Sequence, residues 1–170
     1  MVNIISGIVI KKGDLMSKAR LITTAVTAGL IGGMVKMGFE SLMPPRTPER
    51  EKETPPETLM RQMGVPDNIR NLTYTYSGHQ LPITTYIVHH GFSIGASVPY
   101  ALLKGKLPGI TIGKGSVFGT GVFVLFHEVL LPLTKTIPTP DKQPLEEHLS
   151  EFIGHIVWMY TIDRIIKSEE

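Results

Sequence analysis

The residues able to do chemistry are histidines, carboxylates and one lysine set inside otherwise apolar stretches: Lys36 and Glu40, His89 and His90, His127 and Glu128, Glu151 and His155. Ionisable groups in such surroundings are costly to bury and are functional candidates by default. Imidazole, with an ordinary pKa of about 6.5, takes up protons as its surroundings acidify, and a neighbouring Glu40, Glu128 or Glu151 would couple that uptake to hydrogen bonding. His89, His127 and His155 with Glu151 also form a three-nitrogen, one-oxygen set suited to zinc or another transition metal. Two histidines on facing helices could instead clamp a haem iron, which ranks below zinc. A purely architectural role competes with all three: Lys36 with Glu40 would then be an ion pair locking helix packing, and Glu151 would simply orient the His155 ring.

Catalysis lacks its usual signatures. His127-Glu128 is not followed one turn later by a second histidine, so the zinc-protease pattern fails. Ser93 and Ser97 have no glycine-flanked nucleophile turn. Gly113-Lys114-Gly115 and Gly119-Thr120-Gly121 do not match a phosphate loop and are expected to serve helix contact. Glu146-Glu147-His148 is expected to be a solvated helix start, with Ser150 in its cap, in preference to a surface metal site. No catalytic residue is assigned.

Positioning such groups requires helices. Segments 21–43, 82–103, 110–133 and 149–166 are nearly free of charge, and each has about the ~20 residues needed to cross ~30 Å of hydrocarbon. A soluble bundle would carry an outward polar face at every turn, whereas Val117 to Leu133 is apolar around the whole helix except at Thr120, His127 and Glu128. The expected fold is therefore all-α: a polytopic integral membrane protein, four transmembrane helices in an antiparallel bundle. Membrane lipid is its expected partner. A basic lead-in over residues 1–20, with Lys11, Lys12, Lys18 and Arg20, precedes one membrane domain over 21–167. The first span resembles a signal peptide, but Lys36 and Glu40 interrupt it and no small-residue cleavage site follows, so an uncleaved anchor is expected.

The absence of cysteine excludes disulfides and thiolate sites. A net charge of +2 without a basic patch interleaved with aromatics gives nucleic-acid binding no support.

Depth and helical phase bring the ionisable groups together. Counted at ~1.5 Å per residue, Lys36, His89, His127 and His155 each lie ~10 Å inside the same face of the membrane. Gly29, Gly33, Lys36 and Glu40 fall on one stripe, as do Gly115, Gly119, Phe123 and His127, then His89, Ser93, Ala96 and Tyr100, then Glu151 and His155. Small residues on these stripes let helices approach, which predicts a polar pocket between them and self-association into a homo-oligomer. His90 and Glu128 point about 100° away from their neighbours and stand outside the expected site.

The outer loop, 44–81, opens with Pro44-Pro45-Arg46-Thr47-Pro48, then the charge-rich run Glu49 to Glu53, and Pro55-Pro56. Prolines stop the first helix. Glu57 to Met63 predicts a short helix closed by Gly64. Lysine and arginine are denser on the side holding the N-terminus, the Lys104-to-Gly109 connection and the C-terminus, which predicts both termini inside.

Val35-Lys36-Met37-Gly38-Phe39-Glu40, Pro44-Pro45-Arg46-Thr47-Pro48 and Ser150 to Trp158 together resemble the YagU family of bacterial inner-membrane proteins, over about residues 21–167. Gly78-His79, His89 with Phe92-Ser93, and His127 with Pro132-Leu133 also match. The resemblance implies a bacterial plasma-membrane location and a link to acid survival, and it implies no mechanism. It selects Lys36, Glu40, Arg46, His79, His89, His127, Glu151 and His155. The expected function is proton or metal-ion binding or conduction by this cluster. The alternative is a membrane scaffold whose proline-arginine loop meets a partner.

Overall fold

The computed structural model describes residues 2–5, 8–48, 50 and 53–167, with side chains from residue 17 onward except that of Pro108. Most of the expected basic lead-in's side chains, Lys11, Lys12 and Met16 among them, therefore lie outside the described residues, as do Glu49, Glu51 and Lys52 of the charge-rich run. The chain is mostly helical. β1 (Val2–Ile5) and β2 (Ile8–Lys11) form an antiparallel hairpin leading into α1 (Lys12–Leu42). After the loop's α2 (Pro55–Gln62) and α3 (Asp67–Arg70), β3 (Thr73–Tyr76) pairs with β4 (His79–Pro82), and α4 (Ile83–Leu103) follows. The two hairpins amend the all-α expectation, and α1 begins inside the segment assigned to the lead-in.

The third apolar segment starts later than hydropathy implied. Pro108–Thr111 is one 3-10 turn, and α5 (Ser116–Phe123) begins only after Gly113, Lys114 and Gly115, all at positive φ. These left-handed residues break the helix that apolarity alone predicted from 110. The segment continues as a π-helix over Val124–Leu130 and ends in α6 (Leu131–Leu133). A π-helix has hydrogen bonds one residue longer than an α-helix and often marks a functional site. Here it carries His127 and Glu128. A 3-10 turn at Pro140–Lys142 precedes α7 (Leu145–Lys167).

Two stretches, Ser17–Leu42 and Ser116–Leu133, are long and apolar enough to cross a membrane, with mean hydropathies of 1.4 and 1.7. α1 packs against α4 and α7, and α5 also packs against α7. Glycine permits these approaches: a Cβ at Gly29 would stand 2.8 Å from the Ile94 Cα, and one at Gly119 only 2.6 Å from the His155 carbonyl oxygen. Hydroxyls on α4 fasten it to α1, since Ser93 Oγ donates to the Gly29 carbonyl at 2.6 Å and Ser97 Oγ to that of Ala25 at 2.7 Å. The Trp158 indole N–H on α7 donates to Ser93 Oγ at 2.7 Å, joining three helices at one hydroxyl. Tyr100, Trp158, Met159, Ile162 and Ile166 fill the core below this junction.

Polarity is inverted relative to a water-soluble bundle. Lys36, Ser93, Ser97, Glu151, His155 and Asp163 are buried, while Ile22, Leu30, Met34, Ile87, Leu125 and Leu149 are exposed on the helix surfaces.

Candidate functional site

The loop after α1 folds back over one end of the bundle. Its anchor is Glu147, 3% exposed at the start of α7, which accepts the Thr47 N–H at 2.9 Å and pairs with Arg50. Ser150 Oγ donates to the Met43 carbonyl at 2.6 Å. Neither is the solvated helix start or cap expected from sequence, because the loop supplies donors and acceptors that a count along α7 cannot reveal. In α2 the N–H of Thr54 donates to Glu57 Oε2 at 2.7 Å, a capping arrangement, and Gly64 ends the turn at φ +76 as expected.

Beneath this roof lies a cavity of about 850 Å³. Pro44, Pro45, Pro48, Pro55 and Pro56 line its loop side, and Phe92, Phe126 and Trp158 supply aromatic wall. Lys36, Glu40, Arg46, His89, His127, Glu151 and His155 all contribute to the lining. The volume falls in the range of small-molecule pockets.

Glu151 is the hub. Its Oε2 lies 3.2 Å from Lys36 Nζ, 3.6 Å from His127 Nε2 and 3.7 Å from His155 Nδ1, and its Oε1 lies 3.8 Å from Arg46. Lys36 also pairs with Glu40 one turn along α1. Two cations, Lys36 and Arg46, thus face two carboxylates, Glu40 and Glu151. A Cβ at Gly154 would lie 3.4 Å from the Phe39 ring and 3.8 Å from Lys36 Cε, so α7 packs at contact distance against this stretch of α1. One ligand atom from each of His127, Glu151 and His155 lies within 4.8 Å of the others. The two imidazoles meet edge to face at 4.9 Å, and Phe123 stacks on His127. His155 Nδ1–H donates to the Glu151 carbonyl at 2.8 Å, which leaves Nε2 with its lone pair.

A family profile described as a protein of unknown function, DUF1440, matches residues 30–164. The chain belongs to this family. Inner membrane protein YagU of Escherichia coli (strain K12) is 29% identical over 160 residues, covering 81% of this chain and 78% of that protein. No solved structure matches.

In this DUF1440 chain the site residues expected from sequence divide into three groups. Lys36, Glu40, Arg46, His127, Glu151 and His155 come together. His89 lines the same cavity, but its Nε2 faces the Gly33 carbonyl at 3.3 Å and it is not part of the three-residue ligand cluster, so the four-ligand set is not assembled. His79 lies in β4 with its side chain exposed and is not among the cavity-lining residues, because the hairpin extends outward from the helix end. Of the loop motif, Pro45 is buried and Pro44 and Pro48 are exposed, all three lining the cavity.

His90 and Glu128 turn elsewhere, as their helical phase predicted. His90 Nδ1–H donates to the Tyr86 carbonyl at 2.8 Å, and its buried Nε2 has no hydrogen-bond partner among the described residues. Glu128 meets His148 Nδ1 at 2.8 Å. Sequence reasoning on the DUF1440 chain missed Glu147 with Arg50, Tyr100 with Asp163, and Trp158 with Ser93. Asp163, a carboxylate one turn from the end of an apolar helix, was the one signal available, since such a group needs a partner; it accepts the Tyr100 hydroxyl at 2.6 Å.

Proposed function

We propose that the chain is an inner-membrane protein of four spans whose cavity binds a transition-metal cation through His127, Glu151 and His155. The membrane reading is supported by the inverted polarity of the bundle, by two apolar helices of spanning length, and by the relative from Escherichia coli. In this reading α4 and α7 are the other two spans, their polar groups shielded by helix contacts, and both termini are cytoplasmic.

The observation that carries the metal proposal is the closeness of two imidazoles and one carboxylate at the base of a cavity. Three protein ligands with a position left for water or a small molecule suit zinc-like ions. The hydrogen bond from His155 Nδ1 to a backbone carbonyl is the kind of outer contact that fixes the tautomer of a metal-binding histidine. Lys36 serves as the resident counter-ion of Glu151 when no metal is bound, and Glu40 retains it when the metal displaces it. Metal uptake at this level would alter charge in the outer half of the membrane and would give acid tolerance a chemical basis, since protons compete for the same imidazoles.

The test is zinc and cobalt titration of the purified full chain after chelator treatment, read by elemental analysis and, for cobalt, visible absorption. One ion per chain is expected, with affinity falling at least about tenfold in His127→Ala and in His155→Ala. Equal metal content in wild type and both variants would refute the site.

A second reading, a non-transporting scaffold with an architectural cluster, is favoured by the existing ion pairs of Lys36 with Glu40 and Glu151 and of Arg46 with Glu151. It predicts no metal and a loss of function on exchanging the outer loop.

A further inference from the structure

The cavity that holds His127, Glu151 and His155 is amphipathic. Lys36, Arg46, His127 and His155 cluster around Glu151 at separations of 3.2 to 3.8 Å. Met37, Leu59, Val88, Phe92, Phe126 and Leu131 supply apolar surface from α1, α2, α4, the π-helix and α6. We propose that this space takes a small organic anion with an apolar tail, its carboxylate completing the coordination of the metal and its tail lying against the apolar walls. The proposal deepens the metal reading and rests on it.

Coordination is the first argument. Among the described residues the chain offers a metal three ligands, His127, Glu151 and His155. His89 also lines the cavity, but its Nε2 faces the Gly33 carbonyl at 3.3 Å and stays out of the cluster. A four-coordinate ion of the zinc type therefore keeps one position for a donor from outside the chain. His155, 1% exposed, and Glu151, 8% exposed, set that position among buried groups.

Charge selects the donor. Among the described lining residues Lys36 and Arg46 face the carboxylates of Glu40 and Glu151, an even balance. A divalent ion adds two positive charges with no further carboxylate on the described lining to meet them. An uncompensated charge is costly in buried surroundings, so an anionic oxygen donor is favoured over water or an alcohol. Carboxylate oxygens are ordinary ligands of such ions.

Volume and wall chemistry select the rest of the molecule. A water takes about 30 Å³ of liquid volume, against a cavity of about 850 Å³. An apolar lining with a few convergent polar groups is the usual design of a site for small organic molecules. Phe92 and Phe126 meet edge to face at 4.7 Å and bridge α4 to the π-helix. Phe92 is 38% exposed while lining the cavity, so this seam carries the apolar wall out to the helix surface. In the four-span reading lipid lies there, and a longer tail has an apolar path toward it.

The experiment uses the full chain in detergent, stripped by chelator and reloaded with cobalt, whose visible absorption reports its ligands. Octanoate, acetate and octanol are titrated in turn, with free concentrations set by dialysis against empty micelles. Octanoate should change the cobalt bands at a concentration at least about tenfold below that of acetate, a preference that burial of only about two methylenes supplies. Octanol should leave the bands unchanged. Val88→Phe on α4 and Leu131→Phe on α6 narrow the apolar part from different elements, so one misfolded variant leaves the other to decide. Each should keep cobalt and the acetate response and lose the preference for octanoate. A chain that takes up no cobalt refutes the metal site and this inference with it. Cobalt uptake with equal octanoate and acetate responses, with octanol acting like octanoate, or with the preference intact in the folded variants, leaves the metal site standing and overturns the anionic amphiphile.

Discussion

Lys36 on α1 and Glu151 on α7, 115 positions apart in the chain, meet with Nζ 3.2 Å from Oε2 where both side chains are about nine-tenths buried. Removing one member leaves a buried charge with incomplete compensation, and such losses run to about 3–5 kcal/mol. Lys36→Met and Glu151→Leu should each lower the unfolding temperature in detergent markedly. The double variant should lose less than the sum of the two single ones, because each single change already breaks the contact they share. A double variant as unstable as the sum of the singles would show that the pair is not the coupling unit.

Gly119 faces the backbone of α7 at a distance that leaves no room for a methyl group. Gly119→Ala should push α5 from α7, costing about 1–3 kcal/mol as overpacking does. Gly121, with nothing within 4 Å of its missing Cβ, is the control. Gly121→Ala should leave the unfolding temperature near that of the wild type, and equal losses at both positions would contradict this packing.

Trp158 is the only tryptophan, so its emission reports directly on the hydroxyl that joins three helices. Ser93→Ala removes the acceptor for the indole and the donor to Gly29 at once. A shift in the emission maximum with a loss of about 1 kcal/mol is expected. An unchanged spectrum would mean that the indole is not held there.

His148, just ahead of the fourth apolar segment, places Nδ1 2.8 Å from Glu128 and Nε2 3.0 Å from the Pro140 carbonyl. Both partners are acceptors, so the protonated ring satisfies both. Burial acts to lower its pKa, but the Pro140 carbonyl and Glu128, with Glu147 behind them, outweigh it and hold the pKa above the ordinary 6.5. A raised folded-state pKa gives stabilisation that is fully present below the ordinary value and is lost as pH rises through the folded one. The stability gap between wild type and His148→Gln should therefore be widest in mild acid and shrink toward alkaline pH. A gap that is flat, or that grows with pH, would exclude this linkage.

Much of the candidate site was legible along the chain because helical geometry is local. An apolar stretch with a Lys36-to-Glu40 or Glu151-to-His155 spacing places both groups on one face, one turn apart, whatever the neighbours are. Glycine stripes marked the close approaches for the same reason. The π turn around His127 was not legible, since one longer hydrogen bond changes the phase without changing composition. Nor was the exclusion of His89 from the ligand cluster, which depends on a carbonyl of α1.

Sequence alone determined which stretches are apolar, where prolines end them, and which ionisable groups share a turn of one helix; these follow from residue type and local helical spacing. Tertiary structure decided who partners whom. It set Glu151 at the hub, drew Glu147 under the loop, and left His79 outside. Those outcomes depend on rotations and approaches between helices, and such long-range contacts leave no periodic trace in the residues that make them.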